Sequence, residues 1–223
     1  MLNRFARALF TRIFRPVAAF LVRRGVSPDV VTLIGTLGVV VGGLAFFPRG
    51  EFFWGTIFIT LFVFSDLVDG TMARMTNRSS RWGAWLDSTL DRLGDAAVFG
   101  GIAMYYAGRG NDLLMTALAL YCLSTGAVVS YARARAEGLG MTASVGVTER
   151  ADRLVLILVC TGFAGIGVPY VQAVALWVLA VGSTITIGQR ALVVRRQSLA
   201  EHHAPAAPPP AQDPFDAPAR DTP

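Results

Sequence analysis

The sequence has few of the residues that build disulfide scaffolds or zinc sites. Among its 223 residues are two cysteines, two histidines and no lysine. Cys122 and Cys160 both lie in apolar stretches without metal-ligand spacing, which argues against a disulfide framework and a zinc centre. His202 and His203 fall in a polar C-terminal segment, where we expect no metal role. The N-terminus has no short apolar core followed by a small-residue cleavage site, so no cleaved signal peptide is predicted.

Charged residues are also scarce for a soluble protein. They make up 16% of the chain, hydrophobic residues make up 53%, and the mean hydropathy is +0.51. Soluble domains carry about 25% charged residues, so this composition indicates an integral membrane protein. All 20 basic residues are arginines, and the net charge is +5. We expect no nucleic-acid partner, because these arginines flank apolar segments, where contact with membrane lipids and orientation in the bilayer explain them.

Six apolar segments predict an all-α integral membrane protein with six transmembrane helices. Crossing the hydrocarbon core of about 30 Å takes about 20 helical residues, and each segment is near that length or can extend into its neighbours. The segments are residues 30–47, 52–64, 83–107, 113–131, 154–168 and 171–194.

The chain is expected to divide into three regions. Residues 1–26 alternate arginines with apolar residues at helical spacing, which predicts an amphipathic helix in the membrane interface, kinked or broken at Pro16. Residues 27–196 form the membrane domain. Residues 197–223 are rich in proline and alanine and are expected to be a disordered tail.

Arginine placement predicts the orientation of the chain. With a cytoplasmic N-terminus, Arg49 and Arg109 lie outside, and the other arginines of the flanks and connecting segments lie inside. Positive residues accumulate on the cytoplasmic side of membrane proteins. We therefore predict a multi-pass plasma-membrane protein whose two termini face the cytoplasm.

Four aspartates, Asp66, Asp69, Asp87 and Asp91, interrupt the apolar sequence. Carboxylates near hydrocarbon depth are costly unless compensated, which makes the cluster a candidate functional site on the cytoplasmic side. Within each pair the spacing of three or four residues projects both side chains from one helix face. Two facing helices would bring the four together around a divalent cation, and oxygen ligands favour Mg²⁺ or Mn²⁺ over zinc. The alternative is a chance set of helix-end aspartates in cytoplasmic loops.

The aspartates belong to a longer pattern. It reads Asp66-x-x-Asp69-Gly70-x-x-Ala73-Arg74, then eight residues, then Gly83-x-x-x-Asp87-x-x-x-Asp91. This pattern resembles the complete signature of the CDP-alcohol phosphotransferases, which transfer a phosphate-linked alcohol from a CDP-alcohol to a second alcohol and release CMP. The resemblance implies two Mg²⁺ or Mn²⁺ ions and a homodimer.

The resemblance also implies a role for each aspartate. Asp66, Asp69 and Asp87 would bind the metals, and Asp91 would complete the second metal site and act as the proton acceptor. Two metals clamp the attacking and leaving oxygens of a displacement. A carboxylate beside a cation stays ionised and able to take a proton.

A binding pocket for CDP-diacylglycerol is implied in the same way. Its residues would be Asp29, Val30, Val31, Thr32, Gly70, Arg74 and Ser80. At Gly70 a side chain would block the cytidine, although close helix packing is an alternative explanation for the glycine. A guanidinium at Arg74 would fork onto the diphosphate, unless it serves as a positive-inside anchor.

The acceptor pocket is expected among later arginines. The region from residue 130 to 153 is similar to that of the phosphatidylinositol phosphate synthases of actinobacteria, which implies that Arg133, Arg135 and Arg153 hold the phosphate of inositol 1-phosphate. Arg133 stands where lysine is frequent in that subfamily. Arg190 follows a long apolar run, so we expect it to need an anionic partner and to close the same pocket. Loop charge with snorkelling side chains is the alternative.

The sequence thus predicts an enzyme that transfers the phosphatidyl group from CDP-diacylglycerol to inositol 1-phosphate, giving phosphatidylinositol phosphate and CMP. Glycerol 3-phosphate is the alternative acceptor, because an arginine pocket suits either phosphate. A divalent-cation transporter is an alternative of another class, but carboxylates spread through the bilayer or an inverted repeat are not visible.

Asp95 and Arg92 are expected to form a buried pair that supports the helix bundle.

Overall fold

The computed structural model describes residues 14–76 and 80–203, except for the side chains of Asp66 and of residues 201–203. Within these ranges the chain is helical and contains no strand, which confirms the all-α prediction. The helices are α1 (residues 14–23), α2 (Pro28–Phe46), α3 (Phe52–Val63), α4 (Ser65–Thr76), α5 (Arg81–Ala107), α6 (Leu113–Gly138), α7 (Arg150–Gly165) and α8 (Val171–His203).

The ends of the chain test the two flanking regions only in part. Residues 14–23 are helical and include Pro16. The rest of the predicted interfacial helix, residues 1–13, and most of the predicted tail, residues 204–223, lie outside the described residues. The interfacial placement of α1 stays a prediction.

The lengths and compositions of the helices suit a membrane protein but do not give the number of spans. Among the described residues, four segments are long and apolar enough to cross a membrane: Pro28–Arg49, Phe52–Thr76, Leu113–Gly138 and Val171–Ala200. Helix α5 has 27 residues, but five charged side chains lie among its first 15 residues. Helix α7 has 16 residues. Six spans therefore stay a prediction.

Several boundaries differ from the sequence prediction. The second apolar segment is divided into α3 and α4, whose boundary lies at Phe64. Helix α6 runs past residue 131 to Gly138, and α8 runs to His203, so the predicted tail begins inside a helix at Gln197. A span inferred from hydropathy ends where the apolar residues end. The helices continue because alanine, arginine and glutamate are good helix formers in water.

Glycines allow α2 and α5 to cross closely. A Cβ added at Gly43 would lie 2.6 Å from Ala97 O, and one at Gly101 would overlap Gly43 O. On its other side, α2 leaves room at Gly42 for Ile59 of α3. Small residues at such crossings bring helices together where lipid removes the hydrophobic drive for association. Near the other end of the pair, a Cβ added at Gly83 would lie 3.7 Å from Asp29 Oδ1, so the beginnings of α2 and α5 are also side by side.

Candidate active site

A cavity of about 330 Å³ opens where the N-termini of α2 and α5 meet α4. Ser27 caps α2 by accepting the Val30 N–H at 3.4 Å, and Ser80 caps α5 by accepting the Gly83 N–H at 2.9 Å. Helix N-termini carry partial positive charge and bind anions, phosphates included. Six of the predicted site residues line this cavity, which we call the acidic cavity: Asp29, Thr32, Asp69, Gly70, Ser80 and Asp87.

The described carboxylates are only partly gathered. Asp69 is 8% exposed and accepts a hydrogen bond from Thr32 Oγ1 at 2.5 Å. Asp87 faces the same cavity from α5, whereas Asp91 lines a neighbouring one. Among the described side chains, which leave out Asp66, no three acidic, histidine or cysteine side chains group closely enough to hold a metal. The four-carboxylate cluster therefore stays a prediction.

Gly70 faces open space in the acidic cavity. Among the described residues, a Cβ added there would meet no heavy atom nearer than Arg74 Nη1, at 3.9 Å. Close helix packing, the alternative explanation for this glycine, therefore does not apply. A side chain at Gly70 would project into the cavity and reduce the space for a ligand.

Three residues of the predicted nucleotide pocket are not in the cavity lining. Val30 is exposed, and Val31 packs against the cluster that contains Val68 and Met72. Asp29 and Thr32 do line the cavity because residues three apart on a helix share a face, while those between them point elsewhere. Arg74 lies beside Gly70 and donates from Nη2 to Thr71 Oγ1 at 3.2 Å.

A second cavity of about 830 Å³ is lined by residues of α5, α6, α7 and α8. Asp91 belongs to its lining, and Ala84 and Arg150 line both cavities, which are therefore neighbours. We call it the arginine cavity, because five arginines line it: Arg92, Arg133, Arg150, Arg153 and Arg190.

The arginine cavity contains three of the four predicted acceptor residues. Arg133, Arg153 and Arg190 line it, whereas Arg135 is exposed on α6 and does not. Residues two apart on a helix do not share a face, so Arg133 and Arg135 point in different directions. The lining therefore gives no support to the acceptor role predicted for Arg135, which stays a prediction.

Arg153 is the most deeply buried arginine of the cavity, at 3% exposed. Its Nη2 donates to Gly126 O at 3.3 Å and lies 3.8 Å from Asp95 Oδ2. Its Nη1 is buried and has no hydrogen-bond partner among the described residues. An unpaired buried donor costs about 1–3 kcal/mol, so it is expected where a ligand supplies the acceptor.

Arg190 has partners that the sequence did not suggest. It is 5% exposed, and it donates from Nε to Val145 O at 2.9 Å and from Nη1 to Val129 O. Backbone carbonyls, and not an anionic side chain, thus hold this guanidinium. These bonds connect α8 to α6 and to the irregular segment 139–149, and they support the cavity wall.

Sequence reasoning missed Arg150 and underestimated Asp95. Arg150 Nη1 lies 2.6 Å from Asp91 Oδ1, and its Nε lies 3.4 Å from Asp95 Oδ1. Asp95 also lies 3.6 Å from Arg92 and 3.8 Å from Arg153, so the predicted Asp95–Arg92 pair is part of a larger network. A sequence signal for the position of Arg150 was the capping pair Glu149 and Asp152, which marks the start of α7. The Glu149 N–H donates to Asp152 Oδ2 at 3.3 Å, and Arg150 follows in the first turn.

Comparison with known proteins decides the family. The sequence model of CDP-alcohol phosphatidyltransferases matches residues 25–187. The chain belongs to this family. It is 59% identical over 214 residues to the phosphatidylinositol phosphate synthase of Streptomyces avermitilis, covering 93% of this chain and 88% of the relative. The Cutibacterium acnes phosphatidylinositol phosphate synthase is 48% identical, covering 88% and 98% of the two chains.

Solved structures agree with the sequence comparison. A crystal structure of Mycobacterium tuberculosis phosphatidylinositol phosphate synthase with CDP-DAG bound has a TM-score of 0.79 and 41% identity, covering 82% of this chain and 94% of that one. A second structure of that enzyme, in complex with manganese and citrate, has a TM-score of 0.79 and 40% identity, covering 82% and 88%. The predicted family and subfamily are confirmed. This phosphatidyltransferase is thus a membrane enzyme, and the transporter alternative is excluded.

Proposed function

We propose that this chain transfers the phosphatidyl group from CDP-diacylglycerol to inositol 1-phosphate, giving phosphatidylinositol phosphate and CMP. The observation that carries the proposal is the pair of adjoining cavities. One combines carboxylates with two helix N-termini, the other is lined by arginines, and Ala84 and Arg150 belong to both. The relatives named phosphatidylinositol phosphate synthase and the neighbouring structure with CDP-DAG bound support the same substrates.

In this proposal the acidic cavity takes the nucleotide of CDP-diacylglycerol. The cytidine lies against Gly70, where the open space accommodates a base. Asp29, Thr32 and Ser80 surround it at the two helix N-termini. Arg74, beside Gly70, reaches the diphosphate and binds it through its guanidinium fork.

The metal site is proposed to contain two divalent cations held by Asp66, Asp69, Asp87 and Asp91. Asp69 and Asp87 present oxygen donors to one cavity from two helices, which suits Mg²⁺ or Mn²⁺. The manganese complex of a similar structure supports a divalent cation. When bound, such ions neutralise the diphosphate and stabilise the attacking and leaving oxygens.

Asp91 is proposed as the proton acceptor because it faces the acceptor side. Asp87 lines the acidic cavity, and Asp91, about 6 Å further along α5, lines the arginine cavity. The inositol hydroxyl gives its proton to Asp91 as its oxygen bonds to the phosphatidyl phosphorus. The bond from that phosphorus to the CMP oxygen breaks at the same centre. Arg133, Arg153 and Arg190 hold the phosphate of the acceptor meanwhile.

The membrane arrangement is also part of the proposal. Helices α5 and α7 add two spans to the four apolar segments, α1 lies in the interface, and the site faces the cytoplasm of the plasma membrane. Asymmetric arginine placement supports this orientation. The membrane domain is proposed to span residues 27–196, preceded by the interfacial helix and followed by the tail, whose first residues, to His203, continue α8. A homodimer is proposed on the family resemblance alone.

An acceptor assay tests the proposed reaction. Purified protein in detergent receives CDP-diacylglycerol, Mg²⁺ and either radiolabelled inositol 1-phosphate or radiolabelled glycerol 3-phosphate. We expect label to enter lipid from inositol 1-phosphate, with an equal amount of CMP released. Because the arginine cavity suits either phosphate, incorporation of glycerol 3-phosphate alone would reject the proposed acceptor and support phosphatidylglycerophosphate synthesis.

A further inference from the structure

Arg150 joins the two cavities through contacts with two carboxylates of α5. Its Nη1 lies 2.6 Å from Asp91 Oδ1, and its Nε lies 3.4 Å from Asp95 Oδ1. The three side chains are largely buried, with 25%, 17% and 12% exposure for Arg150, Asp91 and Asp95. The guanidinium therefore uses separate atoms to contact the proposed metal ligand and a deeper carboxylate.

We propose that Arg150 is a positioning residue that couples cation binding at Asp91 to phosphate binding in the arginine cavity. When a divalent cation binds Asp91, the Nη groups of Arg150 leave this carboxylate. Held by Asp95, they turn toward the phosphate of the acceptor. The inference rests on the proposed function in two respects, that Asp91 is a metal ligand and that the arginine cavity binds the phosphate of the acceptor.

The first step follows from the short contact at Asp91. A cation such as Mg²⁺ binds a carboxylate oxygen at about 2.0–2.1 Å. Arg150 Nη1 already lies 2.6 Å from Asp91 Oδ1, so a cation on this oxygen and the guanidinium would be close like charges. Arg150 and the cation therefore compete for Asp91, and removal of the guanidinium should tighten cation binding.

The second step follows from Asp95, which keeps Arg150 in place after it leaves Asp91. Asp95 is buried and forms ion pairs with Arg92, Arg150 and Arg153. With Nε still at Asp95, rotation about the side-chain bonds moves the Nη groups within the cavity wall. Arg153 Nη1 lacks a hydrogen-bond partner among the described residues, so the phosphate would meet donors from two arginines.

Coupling of this kind is reciprocal. If the cation frees Arg150 for the phosphate, the phosphate must tighten binding of the cation by the same factor. A purely structural ion pair between α5 and α7 would behave differently, because its removal would lower stability without linking the two affinities. The linkage is therefore the measurement that separates the two roles.

The test is a Mn²⁺ titration of the full chain in detergent, followed by electron paramagnetic resonance, with and without inositol 1-phosphate. For Arg150→Gln we expect Mn²⁺ to bind about fivefold or more tightly without the acceptor, the low end of typical coupling between sites. Inositol 1-phosphate should tighten Mn²⁺ binding in the unaltered chain, and this factor should fall toward one in Arg150→Gln. Arg133→Gln is the matched control. It removes the same charge from the same cavity, but Arg133 pairs with Glu137 at 2.8 Å, so acceptor-free Mn²⁺ binding should not change.

Two further variants make the result decisive. In an Asp91→Asn background, Arg150→Gln should no longer tighten Mn²⁺ binding, and a persistent effect would show that Asp91 does not transmit it. Unchanged or weaker Mn²⁺ binding in Arg150→Gln would overturn the inference. If Arg150→Gln does not fold, Arg150→Lys, which keeps the charge but not the fork, should retain Mn²⁺ affinity and lose most of the coupling. Unchanged coupling in Arg150→Lys would overturn it too.

The outcome is separable from the acceptor assay. Arg150-dependent coupling measured with inositol 1-phosphate in a chain that transfers lipid only to glycerol 3-phosphate would support the inference and reject the proposed acceptor. Transfer to inositol 1-phosphate without any Arg150-dependent coupling would support the proposed function and reject the inference.

Discussion

The acidic cavity and the arginine cavity adjoin, yet they are built differently. The acidic cavity is lined mainly by short side chains of α2, α4 and α5, close to helix starts and to one another in sequence. The arginine cavity takes long side chains from α5 to α8, held by Asp95 and by backbone carbonyls. Short carboxylates on rigid helices suit a site that must place metal ions. Long guanidiniums suit recognition of a phosphate that arrives from solution.

The largest effect is expected at Asp91, the aspartate that faces the arginine cavity. Asp91→Asn keeps the shape of the side chain and removes both a metal ligand and the proton acceptor. General base catalysis contributes about 10²–10⁴-fold, so we expect CMP release to fall about a thousandfold in a coupled assay.

Asp112→Asn is the matched control for that variant. Asp112 caps α6 by accepting the Met115 N–H at 3.0 Å, and asparagine caps helices equally well. Its activity should equal that of the unaltered chain. Retention of a tenth or more of the activity by Asp91→Asn would contradict the assignment of the base.

A smaller effect is expected at Arg153, where a substitution should raise KM for the acceptor and leave KM for CDP-diacylglycerol nearly unchanged. Arg153→Lys keeps the charge but loses the donors at Gly126 O and at the unpaired Nη1. Hydrogen bonds to charged groups contribute about 1.5–3 kcal/mol, so KM for inositol 1-phosphate should rise about tenfold to a hundredfold. KM for CDP-diacylglycerol should change less than about twofold, since Arg153 is absent from the acidic cavity.

The control for Arg153→Lys is Arg135→Lys, because Arg135 is exposed and outside the cavity lining. Steady-state kinetics with each substrate varied in turn measure both constants. Equal increases in the two KM values for Arg153→Lys would mean that the cavities are not separate binding sites.

A substitution at Gly70 is expected to raise KM for CDP-diacylglycerol and not KM for the acceptor. Gly70→Val places methyl groups in the acidic cavity, where the added Cβ itself has room. The methyl groups would overfill the cavity once the nucleotide is bound. We expect KM for CDP-diacylglycerol to rise about tenfold, because overfilling costs about 1–3 kcal/mol. KM for the acceptor should stay unchanged. Gly100→Val is the control, since a Cβ at Gly100 meets no atom of the described residues within 4 Å. A lower melting temperature for Gly70→Val alone would indicate a packing role instead.

The difference between the cavities also explains what could be predicted from the sequence. Asp69, Gly70 and Asp87 follow from a motif whose spacing, on helices, already determines which side chains share a face. Arg150 could not be found in this way, because its contact with Asp95 joins residues 55 apart and depends on how α5 and α7 pack. Val30, Val31 and Arg135 were predicted as members of a sequence run without regard to helix rotation, and they lie outside the cavity linings.

The fold, too, has features that the sequence predicts and features that depend on how the helices pack. Apolar length predicted the helices, and small residues such as Gly43 are visible in the sequence, but their partner across the helix crossing is not. Helix α5 combines a charged first half with an apolar second half, so neither its length nor its place in the membrane follows from hydropathy alone. The continuation of α6 to Gly138 and of α8 past Val194 depends on helix propensity beyond the apolar residues.

The smallest effect is expected at Thr32, which supports the acidic cavity without being a proposed metal ligand. Its Oγ1 donates to Asp69 Oδ2, so Thr32→Val removes one hydrogen bond while keeping the shape of the side chain. A hydrogen bond contributes about 1 kcal/mol, so the Mg²⁺ concentration for half-maximal activity should rise about fivefold. KM for inositol 1-phosphate at saturating Mg²⁺ should stay constant. Thr36→Val, one turn along α2 and outside the cavity lining, should change neither value. If Thr32→Val instead raised the acceptor KM, the support of Asp69 would extend into the arginine cavity, and the two sites would be one.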